Sequence, residues 1–357
     1  MKCGIIGLPQ AGKTTLFQIL TRTTPQESHR HGEAQHIGTV MIPEKRLDRL
    51  ARLFSSAKTV YPSIEYVDVA AIGKDTLKET GYLMNLRNMD GLVHVVRLFR
   101  NEAVPYAKGS LDPQRDIASV ELDLILTDLG VVENRREKLE KDRKKIKNPD
   151  LEKEQELLQK VQQCLEAEKP LREADWTEEE KKRLRGFAFL SEKPMLVVLN
   201  IGEELEGGMD EVLRSTGLDQ PRLRTRATVV CGKLEAEIAT LPDAEMSEFL
   251  QGYGLADSAT QRVIRATLDV MDQILFLTSG EKESRAWLAP KGATAAQAAG
   301  VIHSDMEKHF IRAEVVPWEK LLEAGDYAAA RQKGILRLEG KEYVVQDGDV
   351  LIIRHTG

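Results

Sequence analysis

The run Gly7-Leu8-Pro9-Gln10-Ala11-Gly12-Lys13-Thr14 constrains the fold of this chain more than any other feature, because of what flanks it. An apolar strand pattern, Cys3 to Ile6, precedes it, and an apolar-faced helix pattern with Leu16, Phe17 and Leu20 follows it. In that context a glycine, four residues and Gly-Lys-Thr read as a phosphate-binding loop. The chemistry needs these residue types at this spacing. Gly7 and Gly12 let backbone N–H groups turn inward around a β-phosphate, where a Cβ would obstruct the approach or the required φ. Lys13 supplies a point charge to the β/γ oxygens, Thr14 offers a hydroxyl to Mg2+, and the helix N-terminus adds partial positive charge. Gln10, Ala11 and Thr15 complete the expected phosphate-side set. Lys13 is expected to be exposed, its charge serving only phosphate.

Beyond the loop, short apolar runs at Ile64 to Val67 and Leu92 to Val96 alternate with helical patterns, which predicts a parallel α/β sheet. The run ending in Asp68 supplies an acidic residue at a strand terminus, placed to hold Mg2+ through water beside Thr14. From about Val120 the pattern changes. Leu122, Ile125, Leu129, Val132 and Leu139 mark a coiled-coil seam, Asn148-Pro149 breaks it, and Leu151, Leu158, Val161 and Leu165 start a second seam. The two helices should form an antiparallel hairpin inserted into the sheet domain. Strand character returns at Pro194 to Leu199 and at Thr228 to Val230. It recurs near the end at Ile311 to Val315, Glu342 to Val345 and Val350 to Ile353. The expected layout is a nucleotide domain over 1–117 and 190–277, a hairpin over 118–189 and a small α+β domain over 278–357.

In an open α/β sheet, ligands contact the carboxyl ends of strands. The strand Val197-Val198-Leu199 ends in Asn200-Ile201-Gly202-Glu203, an N-x-x-E group where GTP-specific proteins carry Asn-Lys-x-Asp. The longer Glu and the missing Lys predict loss of guanine preference, so Asn200, Ile201 and Glu203 are assigned to the base. The next strand runs into Cys231-Gly232-Lys233, where the Cys231 backbone is expected to close over the base.

A net charge of -6 rules out a uniformly basic nucleic-acid coat and leaves room only for local RNA contacts. The three cysteines, Cys3, Cys164 and Cys231, are odd in number and far apart, which fits reduced thiols in the cytoplasm. No apolar run approaches membrane-spanning length and the start carries no signal-peptide pattern, so neither membrane nor export is expected. DNA is not an expected partner either.

Phosphate loop, hairpin, N-x-x-E and small C-terminal domain, in that order, resemble the YchF or Obg-like ATPase family of P-loop proteins. The likeness is most specific late in the chain. Phe276-Leu277-Thr278-Ser279-Gly280, Arg285-Ala286-Trp287, Gln297 to His303, Phe310 to Glu314 and Glu339 to Tyr343 resemble that family's β-grasp TGS domain. The resemblance implies slow ATP hydrolysis with GTP tolerated, Mg2+ as cofactor and ribosomal partners. Relative to that family, Gln10 replaces an Asn, Thr14 a Ser and Ala71 a Gly whose N–H meets the γ-phosphate. Ile72 keeps an apolar residue where other relatives use a water-positioning Gln, and Gly32 falls where a metal-binding Thr stands. Binding is therefore better supported than hydrolysis. The alternative is a hydrolysis-impaired nucleotide-binding protein acting through its surfaces. A P-loop kinase should show an Arg-rich lid and no such C-terminal domain.

His29, His31 and His36 crowd the expected switch region, and a solvated loop accounts for them. The stretch from Arg135 to Lys147 is rich in Arg and Lys within an acidic chain. It reads either as a solvated coiled-coil face or as a contact for ribosomal or other structured RNA, made together with the C-terminal domain.

Overall fold

The computed structural model describes residues 1–23, 36–73, 76–106, 108–144, 148–203, 208–220, 222–252 and 256–356. Its strands are β1 Lys2–Ile6, β2 His36–Met41, β3 Thr59–Val60, β4 Ser63–Asp68, β5 Gly91–Leu98, β6 Met195–Ile201, β7 Thr225–Val230, β8 Gln273–Thr278, β9 Ser284–Pro290, β10 Phe310–Pro317, β11 Arg337–Glu339 and β12 Asp349–His355. They form two six-stranded sheets, in the orders β2-β4-β1-β5-β6-β7 and β11-β10-β12-β8-β9-β3. The chain separates into two compact units, Met1–Thr39 with Glu65–Val270, and Val40–Ile64 with Met271–Gly357.

In the first unit β4, β1, β5, β6 and β7 pair in parallel. β5 and β6 are buried almost throughout, which is why they read as largely apolar runs without alternation, interrupted in β5 by the buried His94 and Arg97. Strand order reverses beside β1, the first strand, so the switch point of the sheet falls where the phosphate loop leaves it. The helix Pro113–Arg143 begins earlier than its seam suggests, with Asp112 accepting from the Arg115 N–H and Pro113 in the first turn. Its lower part packs Val120 and Leu124 on the sheet. Its upper part packs Ile125, Val132 and Leu139 against Leu157, Leu158, Val161 and Leu165 of the helix Pro149–Glu166. Each such side chain contributes about 1.5–3 kcal/mol through burial.

Asn148 caps the second helix through the Asp150 N–H at 2.9 Å, ahead of Pro149. Arg136 meets Gln162 and Arg143 meets Gln155, the register of an antiparallel pair. Leu122 is a correction to the expected seam. It is 38% exposed, because one helix serves two cores on different faces and Leu122 lies on neither.

In the second unit β10 pairs antiparallel with β11 and β12, β12 pairs parallel with β8, and β8 pairs antiparallel with β9. The helix Ala295–Ile302, capped by a Thr294–Gln297 box, buries Ala295 and Ala298 in the core with Phe276, Val315 and Leu351. Glu342 to Val345 forms no strand, only an isolated bridge between Thr294 and Val344. Residues 40–64, expected within the nucleotide domain, belong to this second unit. Arg46 pairs with Asp347 at 2.5 Å, the Ser284 N–H donates to the Lys58 carbonyl, and Phe54 stacks on Tyr327. No helix among the described residues is long and apolar enough to cross a membrane.

Candidate nucleotide site

β1 delivers a buried strand to Gly7, where the chain turns over the sheet. Gly7 has φ 146°, and a Cβ there would stand 2.4 Å from the Val95 carbonyl oxygen. Gly12 has φ 95°, and its Cβ would stand 2.2 Å from Asn200 Nδ2. Only glycine fits either position. Gln10 is left-handed at φ 62°, which a non-glycine residue adopts at some cost and an Asn adopts more readily. Helix Lys13–Thr21 starts from Gly12 with no side-chain cap and no acidic residue in its first turn. Such an end suits an anion, since neither a side-chain cap nor a carboxylate competes for its N–H groups.

Lys13 is buried at 8% exposure, and its ammonium donates to the Leu8 carbonyl at 3.1 Å. This corrects the expectation of an exposed lysine: the loop folds back over its own side chain. Burial lowers its pKa, opposed by the nearby Asp68. Thr14 Oγ1 donates to Asp68 Oδ2 at 2.8 Å, joining the loop to the end of β4. Burial raises the Asp68 pKa, opposed by that hydrogen bond and by Lys13 and His36. Among the described residues no three His, Cys, Asp or Glu side chains gather as a metal site. A magnesium ion keeps most of its waters and takes one or two protein oxygens beside phosphate oxygens, so the Thr14–Asp68 pair fits it.

The base end is built on Asn200 at the end of β6. Its Nδ2 donates to the Ala11 carbonyl at 3.0 Å, and its Oδ1 accepts from the Gly232 N–H at 3.0 Å. Both ends of the amide are thus engaged in tying the phosphate loop to the strand-helix turn after β7. A cavity of about 880 Å3 opens here, lined by Gln10, Gly12, Lys13, Thr14 and Thr15 on the phosphate side. Ile201, Gly202, Glu203, Gly232, Lys233, Ala236 and Glu237 line its other end. Cys231 lies behind that wall: its thiol is buried and its N–H donates to Glu235 Oε1 at 3.1 Å. The place expected for Cys231 is taken by Gly232 and Lys233. Glu203 accepts from the Lys233 ammonium at 3.0 Å across the rim.

Arg97 was not singled out in the sequence. Its side chain, 2% exposed, donates to the carbonyls of Phe99, Gln10 and Val104 at 3.2, 3.4 and 2.8 Å. Its guanidinium centre lies 4.3 Å from the Phe99 ring centroid. One arginine thereby fixes both the loop at Gln10 and the wall formed by Phe99, Asn101 and Val104. A cation closing the apolar run Leu92 to Val96 was the available signal, since a charge in a buried strand needs partners.

After β4, Ala71 is absent from the residues with positive φ, so its Cβ imposes no backbone strain. Ile72 is 1% exposed, with its side chain in the core and its N–H donating to the Gly7 carbonyl at 3.0 Å. Gly32, His29 and His31 lie outside the described residues, whereas His36 begins β2 and its ring stands 6.4 Å from that of Phe17.

A glycine-bounded loop between a parallel strand and a helix, with a buried lysine and a Thr–Asp pair beside it, defines a P-loop nucleotide-binding protein. Two family descriptions match: "50S ribosome-binding GTPase" over residues 2–126, and YchF-GTPase_C, "Protein of unknown function (DUF933)", over residues 273–356. The chain is 38% identical to the ribosome-binding ATPase YchF of Bacillus subtilis, covering 99% of each. It is 36% identical to that of Pasteurella multocida, covering 99% of this chain and 98% of that one. The solved structure of the Schizosaccharomyces pombe YchF GTPase superposes with a TM-score of 0.82 at 25% identity, covering 99% of this chain and 97% of that one. The chain belongs to the YchF family.

Proposed function

We propose that this protein binds ATP, tolerates GTP and hydrolyses both slowly, and that nucleotide alters its association with a ribosome or structured RNA. The observation that carries the nucleotide reading is the Asn200 amide, which bonds both the phosphate loop and the turn after β7 and makes one cradle from phosphate end to base end. Lys13 and the N–H groups of Gly12 to Thr15 hold phosphate oxygens, while Thr14 and Asp68 hold Mg2+, which supplies charge neutralisation at the phosphates. Ile72 faces the core, and nothing at that position orients a water. Slow hydrolysis follows, and the same observation favours the hydrolysis-impaired alternative. The curated relatives named above are ribosome-binding ATPases, which supports a ribosomal partner and a cytoplasmic location. The hairpin and the C-terminal unit are the proposed contact surfaces.

ATP should bind at least as tightly as GTP, because Glu203 and Ile201 replace the guanine-reading pair. The margin should be modest, since adenine offers the site a single exocyclic donor group. Isothermal titration with Mg-ATP and Mg-GTP reads this directly. A Glu203→Asp, Ile201→Lys double variant should move the preference toward GTP, and a wild-type GTP preference of about a hundredfold would refute the assignment.

A further inference from the structure

We propose that Lys233 sets the base selectivity of the site by occupying one oxygen of Glu203, which leaves a single Glu203 oxygen for the base. The inference rests on the base lying at the Asn200–Glu203 end. Lys233 Nζ donates to Glu203 Oε2 at 3.0 Å, and both side chains line the cavity. Asn200 is already held at both ends, with its amide nitrogen on Ala11 and its oxygen on Gly232. The Cys231 and Gly232 N–H groups are engaged as well, by Glu235 and Asn200. Of the carboxylates lining the cavity, Glu203 is the one in the N-x-x-E group after β6, where a base presents its donor edge.

A carboxylate accepts a pair of parallel N–H donors only with both oxygens available. Guanine presents such a pair at N1 and N2, whereas adenine presents one exocyclic amine. With Oε2 held by the ammonium, the free Glu203 oxygen takes adenine's exocyclic amine but only one of guanine's two donors. Lys233 is 72% and Glu203 44% exposed, so the pair is of surface strength and its influence is graded. It biases the site toward adenine without shutting guanine out.

The test is the ratio of the Mg-GTP to the Mg-ATP dissociation constant in wild type and in Lys233→Met, with Glu203→Gln as the control. Attraction between Lys233 and the phosphates is common to both nucleotides and cancels in the ratio. Freeing the second oxygen should shift the ratio toward GTP by about fivefold, the upper strength of an exposed ion pair. Raising salt should shrink the wild-type bias by screening the pair and leave the variant unchanged. Glu203→Gln should abolish the effect of the lysine substitution. A ratio that stays put or moves toward ATP in Lys233→Met, with both nucleotides still bound, overturns this inference alone. The second of those results would mean that the ammonium donates to guanine O6. Binding of neither nucleotide by the wild type, or full binding after Lys13→Ala, overturns the placement of the base as well.

Discussion

Lys13→Ala is expected to lose ATP and GTP binding together while the protein stays folded. Lys13 is buried and its ammonium bonds the Leu8 carbonyl, so the side chain is already drawn into the loop that would hold the phosphates. A charge-assisted contact to phosphate contributes about 1.5–3 kcal/mol, or roughly ten- to hundredfold in affinity, and more where water is excluded. The alanine variant also relieves a buried charge whose pKa burial already lowers, so the fold loses one hydrogen bond but also sheds a desolvated ammonium. Isothermal titration beside a thermal melt separates the two effects. Undiminished affinity for both nucleotides would show that the loop does not bind phosphate.

The second large effect is expected at the hairpin. Arg135 is paired with Glu154 at 2.7 Å, and Arg136 and Arg143 are turned onto Gln162 and Gln155. The Arg135 charge is therefore paired within the hairpin, while Arg136 and Arg143 keep theirs. Lys145 and Lys147 lie outside the described residues, while Lys138, Lys141 and Lys144 are exposed. Replacing these three by Glu should abolish co-sedimentation with ribosomes and leave ATP affinity unchanged, since none of them lines the nucleotide cavity. For wild type the logarithm of the association constant should fall with log salt by roughly 0.7–0.9 per phosphate contact. A variant that pellets at the wild-type level across the salt series would leave the hairpin as a spacer only.

The phosphate loop and the hairpin were legible because their information is local. Gly7 to Thr14 is contiguous, and the seam residues Ile125, Val132, Leu158 and Val161 repeat at helical spacing within each helix. The Asn200–Glu203 group was legible as a strand end. Some departures come from contacts made at long range, others from how a local turn closes. Residues 40–64 carry no local sign of their unit, because Arg46 reaches a partner 301 positions away. The turn Cys231-Gly232-Lys233 was legible as the end of β7, but not that Glu235 and Asn200 hold its first two N–H groups. Arg97 gave a weak signal, and its three carbonyl partners come from two segments that only the folded sheet brings together. Lys13 was expected exposed in an empty loop with its charge serving only phosphate, but its ammonium bonds the Leu8 carbonyl of the loop itself and is buried there.

This cradle is expected to perform hydrolysis as well as binding. Single-turnover cleavage of Mg-ATP with enzyme in excess, in wild type and in Lys13→Ala, tests this most directly. Missing transition-state contacts of the kind absent at Ile72 cost on the order of a hundredfold each. Wild type should release phosphate well below roughly one per second, and Lys13→Ala should release none above background. Absence of cleavage with tight ATP binding would contradict hydrolysis and leave a nucleotide-binding module, and brisk cleavage that survives loss of Lys13 would contradict the site itself.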